Sequence, residues 1–165
     1  MDPGNLSEVS YYSFLLFRWN SKYKSAVVKV EHSEILFNQQ RPLLSLMKSD
    51  FNERLSQEFS FEAVTLQDIR TNFHEAERLT TNAITLIEAM KPTQGMLQNL
   101  LDFAFCSYEG NCETVLRETI NCLKLFEKMA SSICEIASRL ENVVNEIQER
   151  LRASTETFNA TDSIE

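Results

Sequence analysis

Glycine and proline are scarce in this chain, at three residues each in 165, and histidine occurs twice. A β-sandwich or barrel of this length turns many times, and turns draw on Gly, Pro, Asn and Asp. Their shortage favours a few long elements over many short ones. The four cysteines are Cys106, Cys112, Cys122 and Cys134, and the shortest gap holds five residues, which fits no zinc-ligand spacing. They are expected to be buried or half-buried free thiols, with a Cys106–Cys112 bridge across the intervening turn as the alternative in an oxidising compartment. There is no phosphate-binding glycine loop. The longest apolar run, Tyr11-Tyr12-Ser13-Phe14-Leu15-Leu16-Phe17, falls far short of the ~20 residues that span a bilayer. No secretory signal is legible at Met1-Asp2-Pro3-Gly4, so a cytoplasmic location is expected, with peripheral membrane attachment left open. The sequons at Asn5 and Asn159 are then chance matches.

What is present is ordinary for a globular protein: 43% apolar and 24% charged residues, with a formal charge of −8. The charge is uneven. Residues 1–48 sum to +2, residues 49–112 to −6, residues 113–152 to −1, and the remaining tail to −3. An acidic body argues against nucleic acid as a ligand, since phosphate backbones seek basic patches.

The clearest pattern lies in residues 112–152, after the Gly110-Asn111 turn. In a heptad with a at Phe126, the a positions are Phe126, Ile133, Leu140 and Ile147, and the d positions are Cys122, Met129, Ile136 and Val143. The e positions Leu116, Leu123, Ala130, Ala137, Val144 and Leu151 are apolar too, while c and f are polar throughout. An a/d seam alone makes a two-stranded coiled coil; a seam widened by e marks a helix packed against several neighbours. The pattern predicts a C-terminal helix of about 40 residues and about 60 Å. Glu113/Arg117, Glu135/Arg139 and Glu146/Arg150 are set four apart for ion pairing. Arg150 breaks the d series, so fraying is expected there and residues 153–165 read as a flexible acidic tail.

Upstream, Phe61–Met90 keeps a 3,4 apolar spacing, and Lys91-Pro92 predicts its end. Thr93 then caps a short, greasy helix over Gly95–Ser107. Pro42 suits a helix start, with Leu43, Leu44, Met47, Phe51, Leu55 and Phe59 lining one side and a break near Ser60. Residues 5–41 read as helix from Tyr12, Leu16, Trp19, Tyr23, Ala26, Val30 and Phe37; a hairpin joined at Asn20-Ser21 is the competing reading. The expectation is an all-α, four- to five-helix antiparallel up-and-down bundle, a single domain over residues 1–152.

No residue set points to catalysis. His74 has Arg70 and Arg78 where a helical metal site needs ligands, and the acids Glu75, Glu77, Glu146 and Glu149 lie on polar faces. Cys134 has no histidine within a helical turn. The chain is expected to be no enzyme and to carry no cofactor or metal. Two functional surfaces stand out instead. One is the stripe Phe126, Met129, Ile133, Ile136, Leu140, Val143 and Ile147, as core or as an interface. The other is the aromatic segment Tyr11, Tyr12, Phe14, Leu15, Phe17, Arg18 and Trp19, as core or as a partner-binding or membrane-interface helix. The leading expectation is a helical interaction or scaffold protein, an adaptor binding partner chains or a second copy of itself through apolar helix faces. The alternative is a membrane-acting bundle that tethers or permeabilises a bilayer through the aromatic segment.

Overall fold

The computed structural model describes the backbone of residues 3–57, 61–106 and 113–164, and the side chains of residues 11–57, 61–104 and 113–155. Among the described residues there are three helices and no strand: α1 (Pro3–Ser56), α2 (Ala63–Cys106) and α3 (Glu113–Ile164). The all-α class holds, and residues 5–41 are helix rather than hairpin. The count of four to five helices does not hold, because neither Pro42 nor Pro92 ends a helix. Both prolines are exposed, and so are Asn38 and Glu88, whose carbonyls lose the bond that a residue 42 or 92 N–H would donate. On the solvent side water can take that place, and the helix runs on through the proline instead of stopping at it. Thr93 therefore caps nothing, and Gly95–Cys106 is the last part of α2. The Gly110-Asn111 turn, the Ser60 break and the Cys106–Cys112 pair lie outside the residues whose side chains are described.

The chain divides into two compact units. Unit 1 comprises Met1–His32 and Thr85–Cys134; unit 2 comprises Ser33–Ile84 and Glu135–Glu165. Each therefore holds a portion of all three helices. In unit 1, the Tyr12 hydroxyl donates to the Ala104 carbonyl (3.1 Å), joining α1 to α2. The Cys122 thiol donates to the Thr93 carbonyl (3.6 Å), joining α3 to α2. The rings of Tyr23 and Phe126 meet at 5.7 Å, and the Cys134 thiol points to the Lys29 carbonyl (3.8 Å), so α1 and α3 run parallel there. In unit 2, α1 and α2 are antiparallel: Lys48 pairs with Glu77, and Phe51 stacks on Phe73 at 5.5 Å. Glu75 and Asp68 of α2 meet Arg139 and Arg150 of α3 in the reverse order, so that pair is antiparallel as well.

The cores follow the heptad. In α1, Leu16, Trp19, Tyr23, Ala26, Val30, Ser33, Phe37, Leu44, Met47 and Phe51 are buried in steps that alternate three and four, save for the step of seven from Phe37 to Leu44 across half-buried Gln40. In α3 the line of least exposure is Leu123, Phe126, Ala130, Ile133, Ala137, Leu140, Val144, Ile147 and Leu151. These are the predicted a and e positions. The d residues Met129, Ile136 and Val143 are only half-buried, so the seam is a/e and d is its shoulder. Among the described residues two polar side chains sit inside, and one of them, Thr119, satisfies its hydroxyl on the Val115 carbonyl (2.7 Å), as burial requires.

α3 does not fray at Arg150. Its guanidinium reaches Asp68 at 3.0 Å and Glu146 at 3.1 Å, which lets a charged side chain occupy a half-buried shoulder. The helix continues to Ile164, through the segment expected as a loose tail. Glu113 and Arg117 pair as predicted (2.9 Å), but Arg139 reaches across to Glu75 (3.1 Å) rather than along its own helix to Glu135.

Candidate interaction surface

The α3 stripe is interior. Phe126 and Ile133 in unit 1, and Leu140 and Ile147 in unit 2, have no exposed surface. α1 and α2 do the covering in both units, so the length of α3 by itself demands no external partner. Met129, Ile136 and Val143 keep a partly exposed edge.

The aromatic segment divides around its helix. Successive residues turn through 100°, so a contiguous run cannot lie on one side. Leu16 and Trp19 are buried at 4% and 7% exposure, and Tyr12 and Leu15 are half-buried. Tyr11, Phe14 and Phe17 stand out at 65%, 60% and 73% exposure, with Arg18 exposed beside them. Burial pushes the Tyr12 phenol above its ordinary pKa. Sequence reasoning weighed this segment as all core or all surface; the 3.6-residue period, applied residue by residue, separates the two halves.

A second feature of α1 emerges once its core register is known. With a at Leu16 and Tyr23, the outward f positions are Phe14, Ser21 and Val28 in unit 1, followed by Ile35 in unit 2. The c positions include Tyr11 and Arg18 in unit 1 and Leu46 in unit 2. Tyr11, Phe14, Val28, Ile35 and Leu46 are all more than half exposed. Positions c and f face furthest from the core and are ordinarily polar. α1 thus carries an apolar line on its back as well as on its core side.

Four basic residues accompany the unit 1 part of that line. Residues 11–30 contain Arg18, Lys22, Lys24 and Lys29 and no acid, and all four are exposed. In the same register Arg18 (c) and Lys22 (g) border the f row on one side and Lys24 (b) on the other. Unit 1 carries eight basic and nine acidic residues in all, whereas unit 2 carries eight and fifteen. The basic strip therefore belongs to the less acidic unit.

The acids weighed for chemistry are engaged in surface pairing. Glu75 accepts two bonds from Arg78 (2.9 and 2.6 Å) and one from Arg139 (3.1 Å). The Arg78 hydrogen bonds hold the Glu75 carboxyl below its ordinary range, opposite to what a general acid needs. Arg152 does the same to Glu149. Glu77 pairs with Lys48, and Glu146 with Arg150. His74 is exposed at a groove between α1 and α2 of unit 2, beside Arg70, Phe73 and Lys48. Burial raises the pKa of the Cys122 thiol, which disfavours the thiolate a nucleophile needs. Among the described residues, no group of three or more His, Cys, Asp or Glu is placed to hold a metal ion, and no helix is long and apolar enough to cross a membrane. Set against known protein families, curated proteins and solved structures, the chain matches none of them.

Proposed function

We propose that this chain is a non-enzymatic interaction protein that binds a helix of another chain on the outward face of α1 in unit 1. The observation that carries the reading is the exposure of Tyr11, Phe14 and Phe17 on a helix whose opposite face already fills the core. A buried Phe gains roughly 1.5–3 kcal/mol over an exposed one, so three bare aromatic rings within two turns are a reservoir of binding energy that folding has not used. Aromatic anchors of this kind dominate helix-in-groove and helix-on-helix recognition. Of the two candidate surfaces read from the sequence, the proposal takes the α1 segment and leaves the α3 stripe to the core.

The test is a Phe14→Ala/Phe17→Ala double variant. Both side chains are exposed, so its circular dichroism and melting midpoint should match the parent within error. Chains that co-purify with the endogenous protein, quantified by mass spectrometry, should include at least one that the variant loses. An unchanged set of co-purifying chains would refute the assignment of this face.

A further inference from the structure

The outward face of α1 has a sign as well as an apolar line. Tyr11, Phe14 and Arg18 lie along its middle, and exposed Lys22 on one side and Phe17 and Lys24 on the other form its borders. No acid occurs between residues 11 and 30, in a chain with 24 acids to 16 bases. In a helix pair, residues bordering the apolar seam face the borders of the partner, and their charges decide which partner is accepted. Ser21 and Ser25, next along the f and c rows, are short and let a partner backbone approach closely.

Resting on the reading of this face as a docking surface, we propose that its occupant is an amphipathic helix of another protein whose apolar stripe is bordered by carboxylates. A second copy of the same strip is disfavoured, since it would set like charges against one another on both borders. An anionic lipid surface shares the negative sign. Short Ser21 and Ser25 leave a trough along the face between the exposed Phe14 and Val28, which the ridge of a partner helix can enter and a flat lipid surface cannot, so a helix is favoured.

The experiment uses the full chain and two synthetic helical peptides about three heptads long, with the same leucine stripe, one bordered by Glu and one by Lys. Binding is read by fluorescence anisotropy at low and moderate salt. The Glu-bordered peptide should bind about tenfold more tightly at low salt, with the preference shrinking as salt screens the pairs. Arg18→Glu/Lys22→Glu/Lys24→Glu should reverse the preference, and Phe14→Ala/Phe17→Ala should abolish binding of either peptide. Equal affinity for both peptides, or a preference untouched by charge reversal, overturns the acidic partner while leaving the docking face standing. Peptide binding that survives loss of both phenylalanines removes the docking face itself. Two further measurements decide between occupants. Sedimentation with phosphatidylserine vesicles, lost in the Phe14→Ala/Phe17→Ala variant and unaccompanied by peptide binding, assigns the face to a membrane. A dimer by light scattering that the same variant dissociates assigns it to a second copy. Either result overturns the proposal.

Discussion

α1 and α3 are both longer than fifty residues and contribute to both units, yet they use their surfaces in opposite ways. α3 is apolar on one side. Among the described residues its outward positions include Lys124, Lys128, Ser131, Glu135, Ser138, Arg139, Asn142, Asn145, Glu146 and Glu149, and Leu125 is its one exposed large apolar side chain. α1 is apolar on two sides, with the core row from Leu16 to Phe51 and the outward row Tyr11, Phe14, Val28, Ile35 and Leu46. A helix that serves only its own fold hides its greasy side and solvates the rest. A helix apolar on both sides has a second surface to satisfy, and that difference locates the proposed interface.

The largest effect that would sharpen this contrast is in the core. Phe126 is fully buried against Tyr23, so Phe126→Ala should cost about 3–5 kcal/mol and lower the urea midpoint steeply. Phe14→Ala removes the same ring from a 60% exposed site and should move the midpoint by less than about 0.5 kcal/mol. Comparable losses at the two positions would erase the distinction between a used and an unused face.

The two prolines come next. Pro92→Ala returns an N–H to bond the Glu88 carbonyl within α2, and should stabilise the protein by about 1–3 kcal/mol. A thermal melt reads this directly. If the variant is destabilised instead, the packing of α2 needs the proline ring itself, and water does not make good the lost bond at the Glu88 carbonyl. Pro42→Ala makes the same test within α1, on the two-faced helix.

How much of this was legible in the sequence follows the same contrast. The core row of α3 was legible because one apolar row on a polar helix gives a clean 3.6-residue period. Two readings of it failed: a shoulder was taken for part of the seam at Met129, Ile136 and Val143, and the helix was expected to fray at Arg150 but runs on to Ile164. In α1 the apolar residues at f and c fill the troughs of the period, and a Tyr-Phe-Leu run then looks like strand as readily as helix. The register had to be known before Phe14 could be separated from Leu16. Pro42 and Pro92 misled for a different reason. Local rules treat proline as a stop, and whether a helix stops or runs on depends on which side of it meets water, which is set by packing. Pairings across helices, such as Arg139 with Glu75, left no mark in the local spacing at all.

The smallest effect concerns how α2 and α3 are joined in unit 2, where Glu75 is shared by Arg78 and Arg139. The Glu75 carboxyl titrates below its ordinary value of 4.5 because the Arg78 hydrogen bonds, and more weakly the charges of Arg78 and Arg139, favour its ionised form. Its folded pKa is thus lower than its unfolded pKa. The stability it adds is fully present above the unfolded value and is lost as pH falls through the folded one. The carboxylate is partly solvated, so the whole contribution should be about 0.5 kcal/mol. Urea titrations of the parent and Glu75→Gln should therefore differ by that small amount at neutral pH and converge in acid. Raising salt at neutral pH should shrink the gap as well, since the ions screen pairs of this exposure. A gap that stays constant from neutral pH down into strong acid would mean that Glu75 acts through packing, and that the α2–α3 contact in unit 2 is as apolar in character as the α1–α3 contact that Tyr23 and Phe126 make in unit 1.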